Sequence, residues 1–229
     1  GARLIGVRDL LPPLAAIRAV TARCAGTGIK LGPGMDLSAE DHAPSDEIEF
    51  ISEGRMLVQQ MLWSGCLAQA PGARTASRAC TGVTVTGRAG EPEPTAHPGA
   101  FGRYLLVPDP ALERARLMHL VAAPHSLAEP APGLGVLTTD ALPPAAGTCA
   151  AWFDAYEIVA ELPTRERAAA AWLAERGAGI VTVRTRGGAC DPDAWQHSLR
   201  GRGDQPWTVF VLRVGDARRV LAVRAALSA

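Results

Sequence analysis

Lys30 and Asp36 are the first residues whose types and spacing suggest chemistry. Lys30 is the only lysine in the chain and closes a short expected strand, Gly28 to Leu31. The turn Gly32-Pro33-Gly34-Met35 separates it from Asp36. In an open α/β sheet the strand ends face the active crevice, so a cation and a carboxylate there could hold a substrate or a phosphate. A plain turn beside a solvated lysine accounts for the same residues. The second group is basic. Arg184, Arg186, Arg200 and Arg202, with Arg176, make the densest arginine cluster, opposed locally by Asp191 and Asp193. On a strand, Arg184 and Arg186 project from one face and suit a stripe that tracks phosphates. An ordinary charged face is the alternative, and with few aromatics interleaved base stacking is unsupported.

The remaining reactive residue types form no recognisable centre. His42, His97, His119, His125 and His197 lack metal-ligand spacing, and the five cysteines are scattered without a CxxC pair. No GxSxG elbow supports a serine nucleophile. Asp109 and Asp191 each precede a proline, and helix N-capping explains both. Gly32-Pro33-Gly34 is not a dinucleotide loop, because the GxGxxG spacing is absent and no acidic residue sits about 20 positions on at the end of a second parallel strand.

Composition bounds the rest. Of 229 residues, 48% are hydrophobic but only 5% aromatic, so a core must rest on Leu, Val, Ile and Ala. Lys+Arg and Asp+Glu balance at 23 each, so no overall field draws the molecule to nucleic acid or to a membrane. Arginine dominance, with heavy Ala, Gly and Pro use, reads as a GC-rich coding bias and does not by itself imply phosphate recognition. No apolar run reaches the roughly 18 residues of a membrane helix, and unpaired thiols suit a reducing compartment. A cytoplasmic protein is expected. The chain opens on Gly1 rather than Met, with residues that read as the middle of a domain, so truncation is expected.

Several elements must position these residues. Pro12-Pro13 opens a helix with Leu14, Ile17, Val20 and Cys24 as its buried stripe, ended by Gly26 and Gly28. Glu47 to Ser52 alternates as a half-buried strand. Leu57, Val58, Met61, Leu62 and Cys66 follow a helical period better than period two, with a second strand as the alternative. Thr81 to Thr86 predicts a strand. Gly87 to Gly99 and Glu129 to Gly147 predict loops, the latter with a short strand at Gly135 to Leu137. The last third predicts β-α-β-α-β-β: strands at Trp152 to Leu162 and Ile180 to Arg186, then a hairpin of Trp207 to Val214 and Arg218 to Arg224. Thr164 caps the first helix, and Asp191 starts the second, which carries Trp195 and Leu199. Trp172, Trp195 and Trp207 are expected in the core. The fold class is α/β (α+β), a mixed sheet covered by two helices.

These segments together resemble a bacterial class I S-adenosylmethionine-dependent methyltransferase family that ends in a THUMP-like domain. Leu11-Pro12-Pro13-Leu14 and Ile29 to Asp36 (IKLGPGMD) look like the family's "PPL … KLSPGLD". Glu47 to Ser52 with Leu62-Trp63-Ser64-Gly65 is similar to its "EWVS … LWFG". Tyr104-Leu105 with Pro108 to Ala111 looks like "YLYEPDPA", Tyr156 to Val159 with Leu162-Pro163 like "YEV … LP", and Gly179 to Gly187 like "GRVTVKKRG". The resemblance implies the tail of a Rossmann-like catalytic domain at 1–45, a small ferredoxin-like unit at 46–100 and a THUMP-like domain at 101–229. It also implies RNA as a partner, with contact through the Arg184, Arg186, Arg200 and Arg202 face. The family's glycine-rich cofactor loop and its acidic "DPAR"-type motif are absent here. The implied cofactor is S-adenosylmethionine in the full-length family, with none expected to bind this chain alone. Two functions follow as expectations: the substrate-side portion of a methyltransferase acting on RNA, or a catalytically inert RNA- or protein-binding module. A degenerate fragment is the third. Oligomeric state and the methylated atom are not legible.

Overall fold

A computed structural model describes residue 7 and residues 10–88, 100–144 and 148–227. They form an α/β fold built on two mixed sheets. The chain packs as two compact units, Gly1–Glu93 with Asp109–Val121, and Pro94–Pro108 with Ala122–Ala229.

The first unit opens with α1 (Leu14–Thr21), followed by β1 (Gly26–Leu31), β2 (Glu47–Glu53), β3 (Met56–Gly65), β4 (Arg74–Arg78) and β5 (Thr84–Gly87). The sheet order is β1-β3-β2-β4-β5, antiparallel except for the parallel pair β2 and β4. The short helix α2 (Pro110–Ala115) lies on β2 and β4 and buries Ala111, Leu112 and Ala115. Helix α3 (Met118–Ala122) follows it.

The segment that follows Gly54 is a strand and not a helix. Gly54 and Arg55 both take positive φ, which is the geometry of a tight hairpin turn, and β3 runs back along β2 from there. As the strand between β1 and β2, β3 has Gln60, Met61 and Leu62 buried in succession, so its apolar residues show no clean alternation. Helix α1 is shorter than its periodicity suggests. It stops at Thr21 and buries only Leu14, with Val20 and Cys24 exposed, so the expected four-residue stripe does not form. The expected strand over Thr81 to Thr86 narrows to β5, because a turn at Gly82 delays it.

The second unit holds β6 (Tyr104–Pro108), β7 (Leu137–Thr139), β8 (Phe153–Leu162), β9 (Ala178–Arg186), β10 (Gln205–Val214) and β11 (Ala217–Leu227). Their order is β7-β6-β8-β11-β10-β9, with only β9 and β10 parallel. Helix α4 (Thr148–Trp152) leads into β8, α5 (Glu166–Ala174) joins β8 to β9, and α6 (Pro192–Leu199) joins β9 to β10. The expected β-α-β-α-β-β order is present. On one face Leu162, Val181, Val209, Val211 and Val220 pack with Leu173, Trp195 and Leu199 of the two helices. On the other, Leu105, Phe210, Leu212, Leu221 and Val223 pack beneath Leu134 and Val136. Coverage on both faces is why Val209 to Leu212 reads as an unbroken apolar run.

Details of the second unit differ from expectation. Helix α5 begins at Glu166 with Arg165 at the cap position and no side-chain cap bond, so Thr164 is not its N-cap. The short strand after the Pro/Gly stretch lies at β7, two residues later than expected. Trp195 and Trp207 are buried, whereas Trp172 is half-buried and meets Trp207 edge-on with ring centres 5.5 Å apart. The predicted loop over 87–99 lies, from residue 89 on, outside the described residues, as do 145–147 of the second loop. Among the described residues no helix is long and apolar enough to cross a membrane.

Candidate functional site

In the first unit, Asp36 stands at a cleft of about 610 Å³ whose wall includes Met35, Phe50, Gln60, Arg74, Arg114 and Arg116. The fold brings these residues together from five places: the turn after β1, strands β2, β3 and β4, and α2. The turn after β1 buries Met35, which fixes Asp36 beside it. Strand β4 presents Arg74, whose guanidinium lies over the Phe50 ring of β2, 5.3 Å from its centre. The end of α2 supplies Arg114 and Arg116. Arg114 donates from Nη2 to Asp36 Oδ1 at 2.5 Å and to the Met35 carbonyl at 3.1 Å.

Arg116 caps α2 in a left-handed conformation, φ 60° and ψ 37°, with its backbone N–H directed at the Glu113 and Leu112 carbonyls. Glycine is the usual residue at such a cap, and any other side chain costs on the order of 1–3 kcal/mol there. Burial, and then the charges of Arg116 and Arg114, push the Arg74 guanidinium below its ordinary value. The start of α2 is fixed independently. Asp109 accepts from the Ala111 N–H at 2.9 Å and also stands 3.5 Å from Arg78 Nε, both side chains being buried. N-capping is therefore only part of what Asp109 does.

Lys30 does not share this cleft. It sits on an exposed position of β1, opposite Met61 of β3, and is absent from the cleft wall. Glu47 and Glu49 on β2 are already engaged as acceptors. Glu47 takes the Thr75 hydroxyl at 2.6 Å and the Gln69 and Ala70 N–H groups, and Glu49 takes the Trp63 indole N–H at 2.8 Å and the Ser77 hydroxyl at 2.5 Å. Both carboxylates tie β2 to its neighbours. Among the described residues no group of three or more His, Cys, Asp or Glu side chains could hold a metal ion.

In the second unit the arginines fall into two pairs. Arg184 and Arg186 share the face of β9 opposite Val181 and Val183, and the Arg184 guanidinium lies 5.5 Å from the Tyr156 ring centre and 6.0 Å from that of Phe210. Arg200 and Arg202 are exposed beside the start of β9, where the Gly201 N–H donates to the Gly179 carbonyl and the Gly203 N–H to that of Ala178. At about 3.3 Å per strand residue, the two pairs lie roughly 17–23 Å apart along β9. Arg176, expected in the same cluster, folds back over the Trp172 ring at 3.7 Å and donates to the Trp172 carbonyl at 3.0 Å.

The segment carrying the second pair is tightly seated. A Cβ at Gly201 would come within 2.0 Å of the Ala178 carbonyl oxygen, and one at Gly203 within 1.9 Å of that of Gly177. One at Gly179 would meet the Gly203 oxygen at 2.1 Å. Only glycine permits the two backbones to lie this close.

Arg74, Gln60, Arg114 and Arg116 do not stand out in the sequence. About 40 residues separate the β4 arginine from the α2 pair, and only the packing of α2 on β4 unites them. The one available signal was the alternation Arg114-Ala115-Arg116 immediately after a Pro-started helix.

Strand β1 is followed by Gly32-Pro33-Gly34, but this turn leads on to β2 without an intervening helix, and β1 pairs only antiparallel. A donor loop requires a helix N-terminus at the switch point of a parallel sheet.

Comparison with known proteins gives a consistent picture. Residues 153–225 match the family described as THUMP domain-like. Uncharacterized S-adenosylmethionine-dependent methyltransferases of Mycobacterium tuberculosis strains CDC 1551 / Oshkosh and H37Rv are each 31% identical over 191 residues, covering 82% of this chain. The chain spans 50% of the length of each. The fold is similar to the crystal structure of a candidate methyltransferase from Porphyromonas gingivalis W83, with a TM-score of 0.75 and 15% identity, covering 97% of this chain and 57% of that one. The chain thus carries a THUMP-like domain at 153–225 and is similar over four-fifths of its length to S-adenosylmethionine-dependent methyltransferases.

Proposed function

We propose that the chain is the substrate-side portion of an S-adenosylmethionine-dependent methyltransferase acting on RNA in the cytoplasm. The observation that carries this reading is the joining of a THUMP-like module to a chain related to such enzymes. Within it, 1–45 is the tail of the catalytic domain, 46–100 a small ferredoxin-like unit and 101–229 the THUMP-like domain. Methyl transfer depends chiefly on holding the acceptor atom in line, so a module that grips the acceptor strand supplies much of the catalytic advantage. Arg184 and Arg186 are its phosphate-tracking pair, with Arg200 and Arg202 as a second point of attachment. The donor is held by residues outside these 229.

Filter binding with total RNA at varied salt tests the interface. Retention should fall steeply with salt, and Arg184→Ala/Arg186→Ala should lower the logarithmic slope by about 1.4, roughly 0.7 for each single-strand phosphate no longer neutralised. Retention that is absent or indifferent to salt sinks the interface. Equilibrium dialysis with labelled S-adenosylmethionine tests the division of labour, and tight retention by the 229-residue chain would overturn it. A second reading, a catalytically inert RNA- or protein-binding module, is favoured by the turn after β1, which leads straight on to β2 with no helix between them.

A further inference from the structure

The cleft between α2 and the sheet of the first unit carries more positive charge than its own residues neutralise. Three guanidiniums, Arg74, Arg114 and Arg116, share its wall with two carboxylates, Asp36 and Glu113. Asp36 is bound to Arg114, and Glu113 has a partner of its own. Among the described residues neither Arg74 nor Arg116 has a carboxylate within ion-pair distance, and the Arg74 guanidinium lies over the face of Phe50. Like charges gathered in a partly buried place repel one another unless an anion sits among them. Burial first, and then the charges of Arg116 and Arg114, hold the Arg74 guanidinium below its ordinary value.

A second observation points into the same space. Gln60 is 1% exposed, lines the cleft, and among the described residues its Oε1 has no hydrogen-bond partner. A buried amide oxygen left unpaired costs free energy, which a ligand N–H or O–H could recover. Phe50 and Leu57 add apolar wall. Guanidinium forks match the oxygens of a phosphate, and the cleft volume lies in the range of small-molecule sites, with room for a ring beside the anion.

We propose that this cleft binds the phosphate of a nucleotide, with Arg74 and Arg116 as the direct partners of the anion, Arg114 positioned by Asp36, and the Gln60 amide accepting from the nucleoside. The nucleotide is a free mononucleotide or a unit of an RNA strand; the inference rests on the RNA reading only for the second source. The left-handed conformation of Arg116 fits this assignment, since it keeps a guanidinium where glycine would relieve strain.

The test is calorimetric titration of the whole chain with inorganic phosphate, adenosine monophosphate and a short single-stranded RNA. Wild-type protein should bind adenosine monophosphate saturably, and Arg74→Gln or Arg116→Gln should each weaken binding at least about ten-fold. Arg213→Gln, in the other unit, should leave it unchanged. Gln60→Leu should lower the preference for the mononucleotide over inorganic phosphate several-fold. The unliganded Arg74→Gln protein should melt no lower than wild type, because removing a repelling charge does not destabilise. A melting point several degrees lower would mark Arg74 as structural and overturn the assignment. So would the lack of saturable binding by all three probes, or affinities unmoved by both arginine substitutions. Response of the RNA alone to Arg74→Gln identifies the strand as the source, and response of the mononucleotide identifies the free ligand. RNA affinity that survives Arg184→Ala/Arg186→Ala would sink the interface on β9 while leaving this cleft intact.

Discussion

Arg78 Nε stands 3.5 Å from Asp109 Oδ2, with only 7% and 0% of the two side chains exposed. The pair joins the end of β4 to the start of α2, and Asp109 also accepts the Ala111 N–H. Removing one member of a buried ion pair costs about 3–5 kcal/mol, since the other charge stays out of water. Asp109→Ala should therefore lose stability on that scale. Asp109→Asn, which keeps an acceptor for the cap, should lose less. Urea unfolding of both variants checks the ranking, and equal losses would show that the cap dominates.

Gly28 lies beneath the Trp63 ring. A Cβ there would meet the ring at 2.4 Å, too close for any ordinary approach. Trp63 is also held by its bond to Glu49, so it cannot move aside without leaving that carboxylate. Gly28→Ala should cost about 1–3 kcal/mol by overpacking. Gly28→Ala/Trp63→Leu should recover part of this loss. Chemical denaturation of the two single variants and the double variant reads the coupling.

Cys149, in α4, is buried, and burial pushes its thiol up to about 11. Cys24, Cys66 and Cys80 are exposed. Near neutral pH the first should resist alkylation while the other three react, because the thiolate is the nucleophile. The sign of the linked pH effect follows. A raised folded-state value means that the contribution of Cys149 to stability is full below the unfolded thiol value and is lost as pH rises towards about 11. Mass spectrometry of native labelling checks the first point, and melting of Cys149→Ala against pH checks the second.

The two arginine pairs flank β9 from opposite ends. Sites this far apart with no shared partner combine additively, to within about 0.5 kcal/mol. Losses of RNA affinity in Arg184→Ala/Arg186→Ala and Arg200→Ala/Arg202→Ala should therefore sum in the quadruple variant. A quadruple loss no larger than that of either pair would place all four on one short stretch of RNA.

The sequence made the last third of the chain legible because its elements signal strongly and locally. Asp191-Pro192-Asp193 fixes the start of α6 through bonds from the Asp193 and Ala194 N–H groups, and Gly215 turns the β10–β11 hairpin with positive φ. Strand β3 was ambiguous because it is buried in mid-sheet, where periodicity fades, and its Gly54-Arg55 turn lacks the usual Asn-Gly signature. Of the candidate residues, Asp36 was legible beside its turn. Its partner Arg114 was not, since nothing local in the chain announces a bond across 78 residues.

The sequence Arg200-Gly201-Arg202-Gly203 resembles the loose basic tails that adapt to whatever they meet, but its glycines do the opposite here. Each small residue locks the main chain against its neighbour, so the intervening guanidiniums are carried on a fixed mount and only their side chains can swing. Both arginine side chains are exposed, so replacing them with other polar groups should leave the fold undisturbed. The glycines beside them are far less replaceable, and new recognition at this corner must come from the side chains on that mount and not from reshaping the loop.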